Sequence, residues 1–114
     1  MLDNINQLLL RNVDLLNAKS PLFINLPVDD FFKTYQTLYP QASLTLYNTN
    51  YQRHQQIQRL ELEKSTSVFA ACYQSEVKHD LVIIQFPKSK AELNFTLAML
   101  ATYTTEECLV LIVG

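Results

Sequence analysis

The chain reads as a doubly wound α/β domain, a mostly parallel sheet of about five strands flanked by helices. Three observations predict it. Short apolar runs recur along the 114 residues with little polar alternation, the mark of strands covered on both faces. Between them lie segments whose apolar residues fall at helical spacing. The order is helix, strand, helix, strand, weak helix, strand, strand, helix, strand, which crossover connections build into one sheet.

The first helix is expected from about Asp3 to Asn17, because Ile5, Leu8, Leu9, Val13 and Leu16 fall on one stripe and Asp3 suits an N-cap. Ser20-Pro21 ends it, and Leu22-Phe23-Ile24 is a short buried strand. Asp29 or Asp30 can cap a second helix carrying Phe31, Phe32, Tyr35 and Leu38, which Pro40 stops. Ala42 to Tyr47 is a second strand. The polar stretch from Asn48 to about Leu62 reads as a weakly packed helix, with Tyr51, His54, Gln55 and Gln58 on one face. Ser67 to Tyr73 and Leu81 to Phe86 are further strands. Ser89 and Glu92 then form an S-x-x-E capping box before a helix carrying Leu93, Leu97 and Leu100. Cys108 to Val113 is the fifth strand.

Composition removes several function classes. The only glycine is Gly114, where an average chain of this length carries about eight. Phosphate-cradling loops and dinucleotide fingerprints need several glycines to turn tightly and approach a ligand closely, so neither fits here. Nine basic against eleven acidic residues leave a net charge of −2, which argues against electrostatic nucleic-acid binding as the main work but leaves room for a local basic patch. Cys72 and Cys108 lie in apolar runs without CxxC spacing and read as reduced core thiols. No signal-peptide pattern and no 18-residue apolar stretch occurs, so a cytoplasmic location is expected.

Three clusters invite chemistry. Asp29, Asp30 and Lys88 sit at strand ends as in a phosphoacceptor receiver, but Gln74-Ser75 follows the third strand where an acceptor Asp is required; helix capping explains the acids better. His54 and His79 have no evident nucleophile or glycine turn and read as solvated. No catalytic, cofactor-binding or metal-binding residue is therefore assigned. Pro87-Lys88-Ser89-Lys90 is more suggestive. Lysines opposing a helix dipole are misplaced for stability, and a helix start after a strand suits a phosphate. Lys88, Ser89 and Lys90 are the candidate RNA phosphate contacts.

In the same stretch, Asp80-Leu81-Val82-Ile83-Ile84-Gln85-Phe86-Pro87-Lys88-Ser89-Lys90-Ala91-Glu92-Leu93-Asn94-Phe95-Thr96-Leu97 resembles the N-terminal domain of the ribosomal RNA small subunit methyltransferase C family, guanine-N2 methyltransferases of 16S rRNA. The shared pattern is an apolar strand, an aromatic, Pro-Lys-x-Lys, Glu and an amphipathic helix. Leu8-Leu9-Leu10-Arg11-Asn12, Pro21-Leu22-Phe23-Ile24 and Leu109 to Gly114 are similar to the family's opening helix, first strand and fifth strand. Ile24-Asn25 departs from the family's Ala-Gly, and Phe86 stands where Trp is usual.

The resemblance implies a degenerate S-adenosylmethionine-dependent methyltransferase domain, Rossmann-like and truncated after the fifth strand, with residues 1–114 forming one incomplete N-terminal domain. It implies a chain inactive alone, because the family's Asn-Pro-Pro-Phe motif is missing and S-adenosylmethionine is expected in a separate C-terminal catalytic domain. The implied partners are that domain and, through the full protein, 16S rRNA, with no membrane. The alternative is a stand-alone interaction module that self-associates, in the simplest case as a homodimer through the uncovered last strand.

Overall fold

The structure, a computed structural model, describes residues 4–60, 62, 65–69, 78–86 and 89–113. Five strands, β1 (Pro21–Ile24), β2 (Leu44–Asn48), β3 (Ser65–Phe69), β4 (His79–Gln85) and β5 (Thr104–Val113), form one sheet in the order β3-β2-β1-β4-β5. Every neighbouring pair is parallel, so the expected doubly wound sheet is present. Four helices accompany it: α1 (Asn4–Arg11), α2 (Phe31–Leu38), α3 (Tyr51–Arg59) and α4 (Lys90–Leu100).

Alternation along the strands divides the core into two layers. Phe23, Leu44, Leu46, Leu81 and Ile83 pack with Leu9, Phe31, Phe32, Tyr35 and Ile57 from the first three helices and with Leu16, which follows α1. Leu22, Ile24, Tyr47, Val82 and Ile84 face the other way, against Leu93, Leu97 and Leu100 of α4. Each large apolar side chain fully buried here contributes about 1.5–3 kcal/mol. In the first layer Phe23 meets Phe31 edge-on at 5.9 Å and Tyr35 at 5.4 Å between ring centroids. The buried Tyr35 hydroxyl donates to the Leu16 carbonyl at 2.6 Å, and burial drives its pKa upward.

The helical stripe over 3–17 is interrupted. α1 stops at Arg11 and a 3-10 turn covers Val13–Leu16. Asn12 causes the break: its side-chain Nδ2 donates to the Leu8 carbonyl at 3.0 Å, competing with the backbone ladder. Leu16 is still delivered fully buried. Asp30 holds the N-cap position of α2 without a side-chain cap bond, and Asp29 supplies the side-chain acceptor at the helix start. Asp29 Oδ1 accepts from the Phe31 N–H and from Asn6 Nδ2, both at 2.9 Å, tying the α2 start to α1.

Other boundaries shift modestly. β2 begins at Leu44, β3 at Ser65 and β4 at His79, while residues 70–73 of the expected third strand lie outside the described residues. β5 begins at Thr104, four residues before Cys108, because Thr104 pairs with His79 ahead of an irregularity in the β4–β5 register. Two expectations are corrected. His79 is buried, not solvated: it is 1% exposed at the start of β4, with Nδ1–H donating to the Ser20 carbonyl at 2.9 Å. The apolar run of β5 suggests a buried strand, but Leu109, Val110 and Ile112 are 43%, 40% and 44% exposed and the strand lies at the sheet edge, as the uncovered last strand of the self-associating alternative requires.

Candidate functional site

The strand order turns back between β1 and β4, and the crevice outside the carboxyl ends of those strands is where open α/β sheets gather ligands. Register brings Ile24 level with Tyr47 on one side and Ile84 on the other. The residues just beyond, Asn25, Thr49 and Gln85, form the crevice rim.

Asn25 shapes this rim. Its φ of 55° makes it the one positive-φ non-glycine among the described residues, and Asn tolerates that region better than most side chains. The conformation lets the Asn25 N–H donate to the Tyr47 carbonyl at 2.9 Å. Its side-chain Oδ1 meanwhile accepts from the Thr49 N–H at 2.9 Å and the Thr49 hydroxyl at 3.3 Å. A glycine would adopt the same backbone but leave open the space the carboxamide fills.

Arg53 lies across the crevice. α3 starts on an Asn50 cap, whose Oδ1 accepts from the Arg53 N–H at 3.1 Å. From that first turn the Arg53 guanidinium reaches over the strand ends. Its Nη1 donates to the Asn25 carbonyl and to Gln85 Oε1, the latter at 3.0 Å. One cation thus joins the ends of β1 and β4.

Two hollows flank the bridge. One, of about 220 Å3, is lined by Ile24, Tyr47 and Ile84 from the sheet and by Glu92, Phe95, Thr96 and Met99 from α4. The other, of about 340 Å3, takes in Asn50, Arg53 and Phe86. Asn25, Thr49, Gln85 and Glu92 line both.

Of the three residues assigned from sequence, Ser89 and Lys90 are described. Ser89 is the N-cap of α4, its Oγ accepting from the Glu92 N–H at 3.2 Å. Lys90 is exposed in the first turn. Lys88 lies outside the described residues. Among the described residues the capping box is made on the Ser89 side, and Glu92 lines both hollows. Nothing in the local pattern singles out Arg53, which lies inside a polar Gln-rich segment. The Ile24-Asn25 departure was the one signal visible there.

The remaining candidates fall elsewhere. His54 Nδ1 is hydrogen-bonded to the Ser67 hydroxyl at 2.8 Å, linking α3 to β3. Asp80 accepts from the Lys19 and Ser20 N–H groups, both at 2.9 Å, at the opposite ends of the strands. Cys108 is a free thiol whose pKa is raised, chiefly by burial and then by nearby Asp80. Cys72 lies outside the described residues. Asn48 closes β2 at 1% exposure with neither side-chain polar atom hydrogen-bonded among the described residues. No group of acidic, His or Cys residues suited to a metal occurs among the described residues, nor any helix long and apolar enough to cross a membrane.

A five-stranded parallel sheet with this order and a strand-end crevice defines a doubly wound, Rossmann-like α/β domain. The N-methyltransferase NodS from Bradyrhizobium japonicum WM9 superposes with a TM-score of 0.71 over 96% of this chain and 68% of its own, at 12% identity. Coclaurine N-methyltransferase, bound to N-methylheliamine and SAH, gives 0.70 over 94% of this chain and 34% of its own, at 12% identity. Likeness at such identity concerns the fold alone. The chain belongs to the family described as methyltransferase small domain N-terminal, whose model matches residues 6–114. It is 45% identical to ribosomal RNA small subunit methyltransferase C of Colwellia psychrerythraea (strain 34H), over 99% of this chain and 33% of that protein. The protein of the same description from Pseudoalteromonas translucida (strain TAC 125) is 30% identical over 100% of this chain and 33% of its own. The chain therefore spans about a third of the length of these relatives, and the resemblance read from the residue 80–97 stretch holds.

Proposed function

We propose that this chain is the non-catalytic N-terminal domain of a 16S rRNA guanine-N2 methyltransferase, residues 1–114 forming one incomplete methyltransferase-like domain that supports a separate catalytic domain and helps hold the RNA. The observation that carries the reading is the Arg53 bridge. An S-adenosyl group needs an open crevice and a backbone it can approach closely. Here the Asn25 carboxamide, Thr49 and the Arg53 guanidinium occupy that place. The residues present do not fit the cofactor, which would be held by the catalytic domain.

Family membership supports the parent activity, and the 33% coverage of the relatives leaves room for the catalytic part. Ser89 and Lys90 at the α4 start, together with Lys88 next to them in sequence, serve as phosphate contacts. The test of the carrying observation is equilibrium dialysis of S-adenosylmethionine against this chain. No uptake is expected, and saturable uptake at one site per chain overturns the reading.

The exposed apolar β5 favours a second reading. Leu109, Val110 and Ile112, on a strand at the sheet edge, would be covered by further chain in a larger protein or by a second copy in an isolated module. A chain that stays monomeric at high concentration in sedimentation removes the second reading.

A further inference from the structure

The hollow beside α4 has a chemistry more specific than general RNA support. Its floor is apolar, made by Ile24, Tyr47 and Ile84, and its α4 wall carries Phe95 and Met99. Its polar lining residues are Asn25, Thr49, Gln85, Glu92 and Thr96. Phe95 is 56% exposed at its wall, and Phe86 is 48% exposed beside the adjoining hollow. Exposed aromatic rings next to a concave apolar floor are placed to stack on a planar group.

We propose that this hollow seats a single unstacked nucleobase of the bound RNA, stacked against Phe95, with its Watson–Crick edge turned to the Glu92 carboxylate; the proposal rests on the RNA-holding reading above. Size favours one base over a larger ligand. At about 220 Å3 the hollow is smaller than the roughly 300–1,000 Å3 sites that take drug-sized molecules. Unpaired RNA is read by splaying bases onto aromatic side chains and bonding their edges.

Charge fixes which part of the nucleotide enters. Glu92 repels a phosphate, but an ionised carboxylate accepts hydrogen bonds only and so seeks N–H donors. Among the described residues its carboxylate has no hydrogen-bond or ion-pair partner. The cations stand to either side. Arg53 lines the adjoining hollow of about 340 Å3, and Lys90 is exposed at the start of α4. The base therefore lies toward Glu92 and the backbone toward the cations. A guanine edge offers two adjacent N–H donors to a carboxylate. Adenine sets one acceptor beside its amino donor and cytosine two, and uracil flanks its single N–H with carbonyl oxygens. The expected order places guanine first and uracil last.

The test is a titration of the isotope-labelled chain with guanosine, adenosine, cytidine and uridine 5′-monophosphates, and separately with S-adenosylhomocysteine, followed by amide chemical shifts. Guanosine monophosphate should shift the Thr49, Gln85 and Thr96 amides in a saturable way. Phe95→Ala should weaken it about 10-fold, in keeping with base–aromatic stacking. Glu92→Gln should remove the preference among bases while the rest of the spectrum stays native. The proposal is overturned by no mononucleotide binding, by an order insensitive to Glu92→Gln, or by tighter binding of S-adenosylhomocysteine at the same amides. A 16S rRNA oligonucleotide that shifts the Ser89 and Lys90 amides but none in the hollow also overturns it, leaving the RNA-holding reading intact. Mononucleotide binding without any RNA binding overturns both, because the base proposed for the hollow is one of the bound RNA.

Discussion

Arg53, in the first turn of α3, donates to the side-chain oxygen of Gln85 at the end of β4 across 3.0 Å. The same nitrogen reaches the Asn25 carbonyl at the end of β1. The relationship matters because these two strands flank the point where the sheet order turns back, the place a ligand of this fold would use.

Removing the bridge should cost stability without creating a cofactor site. Hydrogen bonds from a charged donor contribute about 1.5–3 kcal/mol, so Arg53→Ala should lower unfolding free energy by about 2 kcal/mol in urea titrations. Asn25 and Thr49 still occupy the rim, so the variant should remain unable to bind S-adenosylmethionine in dialysis.

His79 gives the fold a defined acid sensitivity. Burial lowers its pKa below the usual 6.5, opposed more weakly by the Ser20 carbonyl and by Asp80. The unfolded chain therefore binds the proton more tightly than the folded one. The stability tied to neutral His79 is fully present above pH 6.5 and is lost as pH falls from there toward the lower folded value. The slope is at most about 1.4 kcal/mol per pH unit for one proton. Urea denaturation at pH 7.5 and 5.5 should show this loss, and His79→Gln should lessen it.

Asn48 should be replaceable with profit. Both polar atoms of its buried side chain are without hydrogen bonds among the described residues, and an unsatisfied buried group costs about 1–3 kcal/mol. Leu44 and Leu46, its neighbours along β2, are buried, so Asn48→Leu should raise unfolding free energy by about 1 kcal/mol. A loss in urea titration would mean that the carboxamide does work in the folded state.

The β5 edge should drive association of the isolated chain. Val110 and Ile112 lie on one face of the strand, and both are exposed. Val110→Lys with Ile112→Lys places charge on that surface, a device natural edge strands use against pairing. Sedimentation should show self-association of the parent chain and a monomer for the double variant.

The sheet was legible because unbroken runs such as Leu81 to Ile84 admit few alternatives to a buried strand. Helix interiors were also legible, since Phe31, Phe32 and Tyr35 repeat at helical spacing and bury as that spacing requires. What local patterns hid was competition between groups. Asn12 takes the Leu8 carbonyl and breaks a helix whose apolar stripe runs on. His79 looks like a loop histidine until its strand pairs and the Ser20 carbonyl meets it. The α4 start was readable from Ser89 and Glu92, three residues apart. The crevice was not, because Asn25, Arg53 and Gln85 converge only after 28 and 32 residues of intervening separation are folded together. A departure from glycine at Asn25 marked the place without revealing the arginine that fills it.

The account stands most directly on the salt dependence of 16S rRNA binding by this chain, compared with Lys88→Glu/Lys90→Glu, in the absence of S-adenosylmethionine. The prediction is weak, salt-sensitive binding whose log–log slope falls by up to about two units in the variant, one for each lost phosphate contact. An unchanged slope and affinity would contradict the assignment of RNA contact to the start of α4.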